Sequence, residues 1–149
     1  MASLVTKHPE FVSLLQLVAG QGHIMAVVLT CGLRRVWEKV LDREGLAHSV
    51  KVIGGGRIAD GFVVTSEVKP ALVGHLRHTY HMPVFATGDS ELDLGMMSKA
   101  HEAIVVVGVK HTRSQAVDAV LRSAIDKDGL RATQVLLPRI SPPAPPAPA

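Results

Sequence analysis

Apolar positions recur along this chain at two spacings. Residues 9–19 place Phe11, Leu14, Leu15, Leu17 and Val18 at the three-to-four spacing of one helix face, and Gly20-Gln21-Gly22 stops the helix. Residues 23–30 form a short, nearly continuous apolar run, the pattern of a strand buried on both faces, and Cys31-Gly32 turns the chain. Residues 33–44 read as a second helix ended by Gly45, and 49–53 as a second strand. Gly54-Gly55-Gly56 reads as a link, and residues 57–64 as a small hairpin turning at Asp60-Gly61. A third helix is predicted over 66–80, with Pro70 tolerated in its first turn. A strand at 83–86, a helix at 91–99, a strand at 103–108 and a helix at 114–125 follow, and the remainder reads as irregular. Strands alternating with helices predict an α/β domain with a mainly parallel sheet. Ligands bind such sheets at the carboxyl ends of the strands, where Thr30 and Asp89 fall.

At 149 residues the chain makes one domain, placed at 1–137, followed by a proline-rich tail at 138–149. That tail is expected to be extended and mobile, a solvated end or a docking segment. Hydrophobic residues make up 47% and aromatics only 3%, so the core must be aliphatic. No apolar run reaches the roughly 18 residues of a membrane span, and residues 1–7 lack the apolar stretch of a secretory signal. One cysteine excludes an internal disulfide and suits a reducing compartment. The expectation is a soluble, cytoplasmic protein. The net charge of +3 is scattered, and with so few aromatics to stack on bases it argues against a nucleic-acid partner.

The chemistry concentrates in Gly88-Asp89-Ser90-Glu91-Leu92-Asp93, where two carboxylates four residues apart stand at the mouth of a strand-to-helix turn. Such a pair suits a hard cation such as Mg²⁺. Upstream, Val27-Val28-Leu29-Thr30 ends a strand in a hydroxyl, and Thr65-Ser66-Glu67-Val68-Lys69 puts a lysine at a helix start. In this order the features resemble the haloacid dehalogenase (HAD) superfamily, mostly phosphatases, and specifically the C-terminal half of its phosphoserine-phosphatase type, closest to fungal HAD-like domains. The resemblance runs from about His8 to Ile125. It implies a truncated, Rossmann-like, mainly parallel sheet flanked by helices. It also implies that Thr30 is the phosphate-binding hydroxyl, Lys69 the neutralising ammonium, and Asp89 and Asp93 the acids that hold Mg²⁺ where that ion is retained. The ancestral phosphate pocket would be Thr30, Cys31, Gly32, Arg34, Lys69, Gly88, Asp89 and Ser90.

Two family features are missing: the N-terminal Asp-x-Asp that supplies the nucleophile, and the cap domain. Asp42 lies within a predicted helix and Asp60 at a hairpin tip, so neither replaces it. In the family the nucleophile's strand is central, between the strand carrying the threonine and the strand before the acidic motif. Its loss would leave unpaired backbone groups in the core. The flanking strands could close up, residues 2–6 could fill part of the gap, or a second chain could donate a strand, giving a homodimer. The expectation is a closed-up or dimeric arrangement.

Taken singly, the same residues have plainer readings. Thr30 is then a strand-end hydroxyl, Lys69 a surface lysine, and Asp89 and Asp93 a helix cap and a first-turn acid. His75, His78 and His81 read as a solvated helix end before a metal site, and Cys31 as a buried, inert thiol. Arg34 and Arg35 open a helix and could meet an acidic group; Met96 and Met97 read as core. Three functions compete. The first is a repurposed domain without phosphoryl transfer, binding an apolar or weakly acidic small molecule. It would need no cofactor and perform metal-free, non-covalent isomerase, lyase or cyclase chemistry, intramolecular cycloaddition included. The second is a Mg²⁺-dependent phosphatase half-enzyme that takes its Asp-x-Asp from elsewhere. The third is a non-catalytic interaction module.

Overall fold

The computed structural model describes residues 8–55, 63–108 and 115–137. The predicted hairpin around Asp60-Gly61, the segment 2–6 and the proline-rich tail lie outside them. Helix α1 (Pro9–Ala19) leads into strand β1 (Ala26–Leu33), then α2 (Arg34–Arg43) and β2 (Val50–Gly55). Helix α3 (Val68–His78) follows, with Pro70 in its first turn as expected, and then β3 (Phe85–Gly88). A 3₁₀ turn (Glu91–Asp93) opens into α4 (Leu94–Lys99), followed by β4 (Glu102–Val107), α5 (Gln115–Asp128) and β5 (Ala132–Leu136).

All strand pairs are parallel, but they form two sheets, β1-β2 and β3-β4-β5. The register Ala26↔Val50 and Val28↔Val52 puts these four residues on one face. There they pack with Leu15 and Ala19 of α1 and with Leu41 and Leu46. In the second sheet Ala86, Ala103, Val105 and Val107 share a face, and Val73 of α3, Met96 and Met97 of α4 and Leu121 of α5 cover it. Leu29 points from β1 to the face opposite Val28 and packs against this second core. Helices α1 and α2 therefore lie on one side and α3 to α5 on the other, as in a doubly wound α/β sheet. Met96 and Met97 are core, as their spacing predicts.

The closed-up sheet is corrected. Strands β1 and β3 are not hydrogen-bonded neighbours, and each has one edge without a strand partner among the described residues. The Leu29 side chain of the first sheet packs into the core of the second, with no backbone ladder between them among the described residues.

Other corrections are local. Gly54 and Gly55 are not a link but the end of β2, paired with Thr30 and Leu33. A Cβ on Gly54 would lie 2.6 Å from Cγ2 of Thr30, so the missing side chain is what lets the two strands stay close. For the same reason β1 does not turn at Cys31-Gly32 but continues to Leu33 through a bulge. Strand β3 likewise runs two residues beyond its predicted end, to Gly88. Strand β5 was expected to be irregular. It is an edge strand whose side chains are mostly exposed, so it carries little apolar signal beyond Val135 and Leu136.

Candidate functional site

Lys69 and Asp93 build the centre of the site. Lys69 sits in the first turn of α3 and Asp93 at the end of the 3₁₀ turn after β3. Nζ of Lys69 donates to Oδ1 of Asp93 at 2.6 Å, with side-chain exposures of 7% and 10%. A charge pair withdrawn from water this far needs close geometry and further hydrogen bonds to be tolerated. Oδ2 of Asp93 supplies them, accepting from the Ser90 hydroxyl at 2.9 Å and from the backbone N–H groups of Asp89 and Ser90 at 3.3 Å each. Ser90 and Asp93 form a reciprocal capping box, so the plain helix-cap reading of this segment holds alongside the ion pair.

Burial by itself would raise the Asp93 carboxyl. The Lys69 hydrogen bond, the Ser90 hydroxyl, the Lys69 charge and the Asp89 N–H outweigh it and hold the carboxyl below its ordinary value of 3.8.

Two glycines make the site compact. A Cβ on Gly88 would lie 2.8 Å from Cγ and 2.9 Å from Oδ2 of Asp93. At Gly95 a Cβ would meet Pro70 at 3.2 Å, so the first turns of α3 and α4 approach closely there.

Lys69, Gly88, Asp89, Ser90 and Asp93 are thus brought together. The Asp89 carboxylate is exposed, with no hydrogen bond or ion pair among the described residues. Thr30, Cys31, Gly32 and Arg34 form a second group at the far end of β1. Oγ1 of Thr30 accepts from the Gly32 N–H at 3.0 Å, and Arg34 pairs with Glu38 at 2.6 Å. Among the described residues no hydrogen bond or ion pair joins the two groups. The two hollows that touch these residues are separate. A 20 Å³ cleft touches Asp89 and Ser90, and a separate hollow of 370 Å³ touches Arg34. Cys31 is exposed, not buried as expected, because it sits on the β1 bulge.

The described residues hold no group of three or more His, Cys, Asp or Glu placed to share an ion. Both Asp93 oxygens are already engaged, so of the Asp89–Asp93 pair only Asp89 is free, with the exposed Glu91 beside it. Two exposed carboxylates with no third ligand beside them among the described residues do not make a Mg²⁺ site; an ion there would need further oxygen ligands, such as another acid or a phosphate. The histidines do not make one either: His75 pairs with the Thr79 hydroxyl at 3.0 Å and stands edge-on to Tyr80, while His78 and His81 are exposed.

One Asp-x-Asp does occur in the chain, Asp126-Lys127-Asp128, far from the N-terminal position of the family's nucleophile. It lies in the exposed last turn of α5, not at the end of a strand. Its spacing was visible in the sequence, but its placement on a helix surface gives it no nucleophile geometry.

The family model for haloacid dehalogenase-like hydrolase matches residues 1–98, more than half of the chain. The chain belongs to the haloacid dehalogenase-like hydrolases. No curated protein and no solved structure gives a match. The matched residues include Thr30, Lys69 and both acids of the motif. Within this HAD-like domain, Lys69 and the turn after β3 form a built unit, and the Thr30 group stands on the neighbouring sheet. No described helix is long and apolar enough to cross a membrane.

Proposed function

We infer that this chain is the phosphate-binding half of a HAD-type phosphomonoester hydrolase, completed by a strand carrying an Asp-x-Asp that its described residues do not supply. One observation carries the reading. The buried Lys69 ammonium has three N–H donors and uses one on Asp93; it has no other acceptor among the described residues. A buried cation with spare donors favours an incoming anion. Phosphoryl transfer calls for such a group, because negative charge must be neutralised over the non-bridging oxygens. Thr30, whose hydroxyl accepts from Gly32 and keeps its own proton to donate, is the second candidate for phosphate contact. The open edges of β1 and β3 support the position of the missing strand. Its aspartate would attack phosphorus and release the alcohol, and water would then cleave the aspartyl phosphate.

A second reading draws on Asp93. Because Asp93 is spent on Lys69, only one acid of the Asp89–Asp93 pair stays free for an ion. That favours a repurposed domain with metal-free, non-covalent isomerase, lyase or cyclase chemistry on an apolar or weakly acidic ligand.

Phosphate release from a panel of phosphomonoesters in Mg²⁺ separates the two. The chain is assayed alone and together with an added HAD N-terminal segment bearing Asp-x-Asp, with Asp89→Asn as control. The half-enzyme reading expects release only from the combination and its loss in the control. Release by the chain alone would overturn it in favour of a nucleophile within these residues. No release from the combination would overturn it in favour of the repurposed domain.

A further inference from the structure

We propose that the hollow between α2 and the outer edge of β2 binds a small organic anion, a carboxylate on an apolar body. The hollow measures about 370 Å³, within the range of about 300–1,000 Å³ typical of small-molecule sites. It lies apart from the Lys69–Asp93 unit, and the hydrolase reading does not use it.

Arg34, Glu38 and Leu41 line it from α2, at spacings of four and three that put them on one helix face. Val50, Lys51 and Ile53 line it from β2. Val50 and Lys51 project to opposite faces of the strand, so the hollow wraps round the strand's edge. That edge has no strand partner among the described residues, and its backbone N–H groups add donors.

The chemistry of the walls selects the ligand. Leu41 and Val50 are buried and give an apolar floor. At the rim two cations, Arg34 and Lys51, face one carboxylate, Glu38. Glu38 takes only Nε of Arg34, so among the described residues the other guanidinium N–H groups stay available. Lys51 has no ion pair among the described residues. Among the described residues one positive charge is therefore uncompensated above an apolar floor. An apolar acid answers both, with its carboxylate between Arg34 and Lys51 and its body over Leu41 and Val50.

The test is an NMR titration of the ¹⁵N-labelled full chain with hexanoate, with hexylammonium as the charge-reversed control. Saturable shifts at the amides of Arg34, Glu38, Lys51 and Ile53 with hexanoate, and none there with hexylammonium, are expected. Lys51 is exposed, so Lys51→Gln and Lys51→Glu should keep the parent spectrum elsewhere. They should weaken binding progressively, the reversal by about five- to ten-fold. Shifts that do not saturate, that centre elsewhere, that match those of hexylammonium, or that survive Lys51→Glu unchanged would overturn the proposal.

Discussion

Asp93 and Lys69 are the two buried charged residues among the described residues. Asp93→Asn would leave the Lys69 ammonium buried without its counter-charge, and unfolding in urea should show a loss of about 3–5 kcal/mol. The double variant Lys69→Met/Asp93→Leu should cost less than the sum of its single changes, because no lone charge then remains. The sign of the acid response follows from the lowered Asp93 carboxyl. Its contribution is fully present above the ordinary value of 3.8 and is lost as pH falls through the lower folded value. A stability titration from pH 6 to about 2 should therefore show an acid limb that Asp93→Asn flattens. Gly88→Ala tests the same unit sterically. Its methyl group would collide with the Asp93 side chain, and an overpacking cost of about 1–3 kcal/mol is expected. The Asp89–Asp93 spacing was legible in the sequence. That Asp93 would turn inward to Lys69 while Asp89 stayed in water was not, because that depends on where α3 docks.

At the scale of elements, the helices were read closely and the strands less so. A helix declares itself through its own periodicity and its stops, as with Gly45 after α2; Gly129 after α5, like Gly45 at φ +68°, stops a helix that runs three residues past its predicted end at Ile125. Gly45→Ala and Gly129→Ala should each lower stability by about 1 kcal/mol, read as a drop in the thermal midpoint. Strands depend on their neighbours. Gly54 and Gly55 look like a linker until Thr30 is seen packed against Gly54. The start of β3 rests on a contact between residues far apart in sequence, with the Val84 N–H donating to Nδ1 of His101 at 3.0 Å. That bond requires an unprotonated Nδ1, so His101→Ala should cost about 1 kcal/mol and loosen the β3–β4 entry in hydrogen exchange.

For the whole molecule the unresolved tension lies between two parallel sheets that share a core contact but no ladder. Parallel sheets are ordinarily covered on both faces, yet Val27 and Phe85 are 40% and 64% exposed on the strands that flank the break. In the isolated chain, β1 and β3 amides on the unpaired edges should exchange much faster than those of β4, which is paired on both sides. Protection of β1 and β3 equal to that of β4 would mean that a strand fills the break. Dependence of that protection on protein concentration would assign the strand to a second copy.

The amino-acid order alone determined the α/β class, five helices close to their observed bounds, the aliphatic core and the family whose motif the chain carries. The first three are properties of local periodicity and short-range spacing, the family a likeness of motifs in order along the chain, and all survive without knowledge of what packs where. The tertiary structure decided the rest. It split the sheet, turned Asp93 against Lys69, put the lone Asp-x-Asp on a helix surface and opened a charged hollow beside β2. Each of these depends on contacts between residues distant in sequence, whose free energy comes from burial and pairing that no local pattern encodes.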